Sequence, residues 1–548
     1  MKRIVIIGGG ITGLAAAHRI VEQVRASGEA VDLKLLEAGS RLGGIVQTQE
    51  RDGFLVETGP DSFISEKPAA LELAKRLGLE AHLIVTNQEH RHSFIVRKGR
   101  LLPVPEGFQL LAPARFWPFV KSDIFSWSGK ARMALDLLLP RRKLNGSDDE
   151  ESLAQFVRRR LGQEALERMA QPMVGGIYTA DPEQLSLRAT MPRFLEMERE
   201  HGSLIRALRK QIARQGADSA KQGADSGASG ARYSLFLSFD RGMQVLTDKL
   251  VERISNFRSE ISDFRSEVSD FRSEISNLKS QIPATGALSQ SPIQLNTKVE
   301  SITLEYASFE RGTESVGAAS ARVASAGAAS ADKRSTQWRL LTSNNQTLIA
   351  DAVCLALPAY VSANLLRNLD AQLAAELAGI SYASSATINL GYQRDDIPHP
   401  LDGFGFVVPF IERRALIACT FSSVKFAGRA PQGQVLLRAF VGGALQPELM
   451  QLDQDEMLAR VLHDLRDLLG IERPPIFSEV TKWEHSMPQY HLGHLERVKR
   501  IEERVASLPG LVLAGNAYSG TGIPDCVRNG EAAADQIHGL FAADHAAN

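Results

Sequence analysis

The feature that most constrains this chain is a glycine turn set between a strand and a helix. Residues 4–7 form a short apolar run and Gly8-Gly9-Gly10-Ile11-Thr12-Gly13 follows. Leu14, Ala17, Ile20, Val21 and Val24 then recur at helical spacing over residues 14–26. In the pattern G-x-G-x-x-G the first glycine makes a tight turn. The second lets the backbone touch a pyrophosphate, and the third lets the helix pack closely on the strand. The positive end of the helix then faces the phosphates. Residues 31–36 read as a second strand with Glu37 at its end, where a carboxylate accepts hydrogen bonds from a ribose with a free 2′-hydroxyl. That favours FAD or NAD over NADP. Gly8, Gly9, Gly10, Ile11, Thr12, Gly13, Glu37 and Ala38 form the first cofactor-binding set.

Two further motifs favour FAD over NAD. Arg41-Leu42-Gly43-Gly44 lets the chain pass close to a long dinucleotide, and Arg41 can meet a phosphate oxygen. Glu57-Thr58-Gly59-Pro60-Asp61-Ser62-Phe63 follows, in place of the further βαβ units an NAD domain would add. Gly59, Pro60, Asp61 and Ser62 join the cofactor set. Near the other end, residues 510–514 read as a strand. Gly515 and Asn516 end it, and Gly520-Thr521-Gly522-Ile523-Pro524-Asp525-Cys526 leads into a helix. Pro524 suits a first helical turn, where its missing N–H is not needed. Such a helix aimed at the N1 and O2 edge of reduced flavin would stabilise its charge; an ordinary terminal helix is the plain alternative. Gly515, Ile523, Pro524 and Asp525 are the last cofactor residues, so the two ends of the chain are expected to meet around one isoalloxazine.

Composition excludes other classes. The chain has 548 residues, 44% hydrophobic and 23% charged, with 63 Lys and Arg against 64 Asp and Glu. A net charge of −1 gives no global pull towards nucleic acid or anionic lipid. Three dispersed cysteines, Cys354, Cys419 and Cys526, build neither a disulfide framework nor a CxxC zinc site and fit a reducing compartment. The apolar run at 4–7 is too short for a signal peptide, and no stretch approaches the roughly 18 apolar residues of a spanning helix. The expected location is cytoplasmic, at most peripheral to a membrane. His485, His491 and His494 have no carboxylate or cysteine at helical spacing beside them, so no metal is expected.

Residues 68–200 read as mostly helical, with a helix over 69–78 and a break at 101–105. The segment 107–127 carries Phe108, Phe116, Trp117, Phe119, Phe125 and Trp127 among Arg115 and Lys121. It reads as a membrane-surface segment, a greasy substrate entrance or a core contact. The acidic run 148–151 reads as a solvated loop before a helix at Ser152. Residues 216–231 and 311–334 are low-complexity insertions. Between them, 254–282 carries a heptad seam from Ile254 and Phe257 to Leu278 and Ile282, reading as an exposed arm or a site of self-association or partner binding. Strands are expected over 297–304, 338–342, 352–357, 387–392, 403–408, 416–421 and 435–441, and a helix over 454–469.

The segments GGGITGLAAA, EAGSRLGG, ETGPDSF, GGIYTADPEQLSL, MPQYHLGH and AGNAYSGTGIPDC together resemble the FAD-dependent protoporphyrinogen and coproporphyrinogen oxidase family over essentially the whole chain except the insertions. The wording GPDSF, SMPQYHLGH and GIPDC looks most like the bacterial members that oxidise coproporphyrinogen III. The resemblance implies an α/β fold: a Rossmann-like FAD-binding domain, a mixed or antiparallel-sheet substrate domain and a helical subdomain. The FAD domain is expected in parts over 1–66, 232–310 (containing the heptad insert 255–292) and 476–548. The substrate domain is expected over 67–105 and 335–475, and the helical subdomain over 106–215.

The resemblance also implies a six-electron oxidation, three hydrides passing to flavin N5 and three dioxygen becoming three hydrogen peroxide, with no side-chain base. By the same resemblance Lys67 pairs with a substrate carboxylate, or is a surface lysine at a helix start. Ile177 and Tyr178 wall the pocket on one side or are subdomain core, Phe404, Gly405 and Phe406 wall it on the other at the sheet, and Val299 and Trp483 pack on the cofactor or are simple core. The alternatives kept open are a protoporphyrinogen IX oxidase, an amine oxidase and a non-catalytic flavin-binding assembly protein.

Overall fold

A computed structural model describes residues 1–142, 150–222, 236–257, 291–306 and 336–546. The insertion residues 223–231 and 311–334, and the heptad seam beyond Phe257, lie outside the described residues.

The elements that matter begin with β1 (Lys2–Ile7), α1 (Ile11–Ser27), β2 (Val31–Leu36), α2 (Ala69–Arg76), β3 (Phe94–Arg97) and β4 (Arg100–Pro103). Next come α3 (Gln171–Tyr178), α4 (Gln244–Ser255), β5 (Ile293–Gln294), β6 (Ala352–Leu355), β7 (Tyr382–Gln393) and β8 (Gly405–Val407). The last are β9 (Leu416–Phe421), β10 (Gln434–Gly442), α5 (Gln454–Leu469), β11 (Phe477–Pro488), β12 (Leu511–Leu513) and α6 (Ile523–Ala546).

Five parallel strands form one sheet in the order β5-β2-β1-β6-β12. Their apolar runs are buried on both faces, as a parallel sheet requires. On one face Leu14, Ile20 and Val21 of α1 pack with Leu250 and Ile254 of α4 and with Val527 and Ile537 of α6. Each buried branched side chain there contributes about 1.5–3 kcal/mol. Ile254 and Phe257, the first two residues of the heptad seam, belong to this core. So do Ala70, Leu73 and Ala74 of α2, which places α2 with the nucleotide-binding layer rather than with the substrate domain that the sequence begins at 67. The opposite face holds Val299, Trp338, Leu366 and Ile501.

A second sheet of seven strands runs β11-β7-β10-β9-β8-β3-β4, antiparallel except for the parallel pair β8 and β3. Its strands β3 and β4 depart from the mostly helical reading of residues 68–200, and β4 takes up residues 101–103 of the expected break. Lys98 and Gly99 both have positive φ, 50° and 71°. That is the two-residue turn a tight hairpin needs, and it pairs Arg97 with Arg100. The described parts of 116–201 are mostly helical as read, and Ser152 starts its helix with a capping box to Gln155. The acidic run before it is not all solvated. Glu151 is buried, and its carboxylate accepts two hydrogen bonds of 2.8 Å from Arg159. In the 107–127 segment Phe108, Phe119 and Phe125 are core, while Phe116, Trp117 and Trp127 are exposed.

Candidate functional site

The parallel sheet changes direction between β1 and β6, the point at which open α/β sheets bind ligands beyond their strand ends. Gly8 ends β1 there. A Cβ on Gly8 would stand 2.4 Å from the Ala356 carbonyl oxygen beyond β6, and one on Gly13 would stand 1.9 Å from that of Gly8. Gly10 differs, since a Cβ there would meet nothing within 4 Å. The helix it opens, α1, has no side-chain cap and no acid in its first turn. An uncapped N-terminus facing a space only glycine keeps clear is a phosphate cradle, so the residues present fit a dinucleotide.

The flanking residues extend the cradle. Glu37 accepts hydrogen bonds of 2.7 Å from the Gly9 and Gly39 backbone N–H groups, one on each oxygen, leaving lone pairs for ribose hydroxyls. Ala38 is exposed beside it. The Thr297 N–H donates to the Glu37 carbonyl at 2.8 Å and the Asn296 N–H to that of Gly39 at 2.9 Å, bringing buried Val299 alongside. The Gly43 N–H donates to the Gly9 carbonyl at 2.8 Å, and a Cβ on Gly44 would come within 3.2 Å of the Gly10 Cα. Arg41 turns inward. Its guanidinium donates to the carbonyls of Leu42, Gly44 and Val46, shaping the loop that carries Gly43 and Gly44. Burial lowers its pKa.

The 57–62 loop lies against this one. A Cβ on Gly59 would be 1.7 Å from the Ile45 carbonyl oxygen, so only glycine passes. Pro60 and Ser62 are half-buried. Ser62 Oγ donates to Asp61 at 2.7 Å, and Lys425 Nζ lies 3.0 and 3.1 Å from the two Asp61 oxygens. Burial alone would raise the Asp61 pKa, but Lys425 and Arg438 hold it well below the usual carboxylate range. Glu57 is pushed the other way. Burial raises it to about 7 against hydrogen bonds from the Met243 N–H and the Thr48 hydroxyl and the charges of Arg429 and Arg438.

The far end of the chain closes the site. A Cβ on Gly530 of α6 would stand 2.3 Å from the Thr12 carbonyl oxygen, so α6 crosses α1 at close range. Gly515, at φ +138°, has its carbonyl held by Asn529 Nδ2 at 3.0 Å. The Tyr490 hydroxyl donates to the Asn516 carbonyl at 2.6 Å and accepts from the Gly520 N–H at 2.7 Å, clamping the turn that leads to Ile523 and Pro524. Tyr490 stacks on His494 at 4.0 Å, and burial holds that imidazole neutral with a pKa lowered to about 4. Burial pushes the Cys526 thiol up to about 11, an inert packing residue. Asp525 is buried and binds Lys67 at 2.6 Å and Arg528 at 3.2 Å. The Lys67 ammonium, assigned from sequence to a substrate carboxylate, thus has a partner inside the protein while staying half-exposed.

The pocket walls need one correction. Ile177 and Tyr178 end α3, half-buried, with the Tyr178 hydroxyl on the Thr190 carbonyl at 3.3 Å. Across from them the period of a strand decides which residues of β8 face the cleft. Phe406 is buried in the core beneath the large sheet with Phe421, 6.1 Å between ring centroids. Phe404 is buried as well, its N–H on the His92 carbonyl. Gly405 and Val407 take the other face, where Val407 packs with the helical layer. In register with Val407 stand Ala418 on β9 and then Phe440 on β10. A shallow open groove runs past the end of α3 between Gln171, Thr179, Phe410, Ile417 and Gly443.

Beside Trp483, which the sequence named, sequence reasoning missed the polar side chains of Thr387, Asn389 and Arg438 on this same sheet face. Trp483 Nε1 donates to the Thr58 carbonyl at 2.9 Å, Thr387 Oγ1 to the same oxygen at 2.7 Å, and Asn389 Nδ2 to that of Glu57 at 3.2 Å. Arg438 donates to the Gly59 carbonyl. The signal was present: Ala386-Thr387-Ile388-Asn389-Leu390 alternates strictly, and Arg438 stands alone in an apolar run.

Comparison with known proteins agrees with this geometry. The family model described as flavin containing amine oxidoreductase matches residues 11–538. A coproporphyrinogen III oxidase of Bacillus subtilis (strain 168) is 32% identical over 98% of this chain and 99% of its own length. A chloroplastic protoporphyrinogen oxidase of Nicotiana tabacum is 28% identical over 98% of this chain and 85% of its own. The crystal structure of a provisionally named protoporphyrinogen oxidase from Exiguobacterium sp. 255-15 superposes with a TM-score of 0.73 at 29% identity, covering 98% of each chain.

Proposed function

The chain belongs to the flavin containing amine oxidoreductase family, and from that premise we propose that it is an FAD-dependent coproporphyrinogen III oxidase forming coproporphyrin III in haem biosynthesis. What supports the reading is the cradle of the uncapped α1 N-terminus, the open Gly10 and the doubly bonded Glu37 carboxylate, in a chain that matches the Bacillus subtilis enzyme over 98% of its length.

When bound, FAD supplies a hydride acceptor that dioxygen reoxidises, so three rounds consume three dioxygen and yield three hydrogen peroxide. The chain's own residues bind and orient. The N–H groups opening α1 receive the pyrophosphate, Glu37 receives the ribose, and the first turn of α6 presents its positive end beside the Gly515 turn. On this reading Gly405 and Val407 floor the substrate cleft with Phe440, and Ile177 and Tyr178, which pack with Val407 on the same helical core, roof it. Lys67, itself half-exposed, meets a propionate by exchanging its buried Asp525 partner, which stays paired with Arg528. No side-chain base is required, because pyrrole protons leave to solvent.

Among the described residues no helix is long and apolar enough to cross a membrane. The exposed Phe116, Trp117 and Trp127, with Leu138 beyond them, support a peripheral membrane contact for the helical layer. A cytoplasmic setting fits three unpaired, buried cysteines. Aerobic turnover of coproporphyrinogen III and protoporphyrinogen IX by the purified protein, followed by porphyrin fluorescence, tests the assignment. A higher kcat/KM for coproporphyrinogen III is expected. Preference for protoporphyrinogen IX, or turnover of amines alone, overturns it.

A further inference from the structure

Strand β7 alternates two kinds of surface. Ala386, Ile388, Leu390 and Tyr392 enter the core covered by α5, and Thr387 and Asn389 face the other way. Strand β10 repeats this, with Leu437, Ala439 and Val441 in the core and Arg438 opposite, directly across from Asn389. Thr387, Asn389 and Arg438 are 5%, 0% and 4% exposed. Polar groups buried this deeply on a sheet are costly unless partnered. Their partners are the carbonyls of Glu57, Thr58 and Gly59 taken in sequence, and Arg438 Nη1 also stands 3.9 Å from the Asp61 carboxylate. The other side of the same loop rests on residues 45–47, where the Thr58 N–H donates to the Gln47 carbonyl at 3.1 Å. Through Gly43 that segment reaches Gly9 of the phosphate turn.

We infer that Arg438, with Thr387 and Asn389, is a positioning residue for the cofactor: the strands that floor the substrate cleft also set the loop 57–61 against the flavin. The inference rests on the reading that this loop borders bound FAD. One sheet then fixes both reactants. Phe440 lies two residues along β10 from Arg438, on the same face, with the guanidinium 4.8 Å from its ring centroid. Hydride transfer requires donor and acceptor held to within a few tenths of an ångström, and strands β7 and β10 supply a common frame.

The test compares the FAD-loaded parent with Arg438→Leu, Arg438→Lys and Thr387→Val, reading FAD affinity by fluorescence quenching and the visible circular dichroism of bound flavin. Uptake of FAD by the parent checks the cofactor reading independently of any variant; a parent that refuses FAD overturns that reading and this inference with it. Given FAD uptake, Arg438→Leu is expected to weaken affinity roughly tenfold or more and to change the flavin dichroism, with partial recovery in Arg438→Lys. Thr387→Val is expected to move the same dichroism with little loss of thermal stability, so the question is answerable even if Arg438→Leu fails to fold. Folded variants with parental affinity and parental dichroism overturn the inference.

Discussion

Gly530, in the second turn of α6, lies so close to Thr12 at the start of α1 that a Cβ there would stand 2.3 Å from the Thr12 carbonyl oxygen. Residues from opposite ends of the chain therefore meet without a side chain between them, and the cofactor cradle depends on that approach. Gly530→Val must push α6 away, an overpacking cost of about 1–3 kcal/mol. The expected result is a lower Tm and less FAD per protein after purification. Gly539→Ala on the same helix, where a Cβ meets nothing within 4 Å, should leave FAD content unchanged.

Glu37→Ala removes a carboxylate that accepts from two backbone N–H groups and is proposed to receive the ribose. Hydrogen bonds to charged groups contribute about 1.5–3 kcal/mol each. FAD affinity, measured by fluorescence titration, should fall at least about tenfold.

Lys67→Ala deletes the proposed propionate contact and the ion pair with the buried Asp525, which keeps Arg528. Thermal stability should fall only modestly, because the buried Asp525 carboxylate retains Arg528. The KM for coproporphyrinogen III should rise several-fold with kcat little changed. An unaltered KM would return Lys67 to a purely tethering role.

Glu57 gives a pH signature. Its carboxyl keeps its proton up to about pH 7 in the folded protein and loses it near 4.5 when unfolded. Between these values the folded state binds more protons, so its stability falls as pH rises, by about 3 kcal/mol once both values are passed. Glu57→Gln lacks this slope. Denaturation midpoints should show the variant gaining on the parent as pH rises through that window.

The face assignment of β8 separates two neighbours. Val407→Arg puts a charge into the cleft and should raise KM or abolish turnover while FAD still binds. Phe406→Leu should cost about 1 kcal/mol of stability with KM unchanged, because Phe406 lies in the core beneath the sheet.

The nucleotide-binding half was legible because its information is local. Gly8 to Gly13, Glu37 and Gly515 act within a few residues of a strand end, and glycine spacing states the geometry directly. The substrate half was legible as strands but not as faces. Choosing Val407 over Phe406 requires the register of β8 against β9, set by residues far away in sequence. The same holds for Lys67, whose nearest partner is Asp525, and for Arg438, whose partner is Gly59. The hairpin over residues 94–103 went unread because its turn at Lys98-Gly99 lacks the usual asparagine or aspartate.

The most direct test of the account is an absorption titration of the purified protein with FAD, followed by addition of coproporphyrinogen III without oxygen. The account predicts tight uptake of one FAD per chain, bleaching of the flavin bands by the porphyrinogen, and their return when air is admitted. A colourless protein that refuses FAD, or bound flavin that coproporphyrinogen III leaves oxidised, would contradict it.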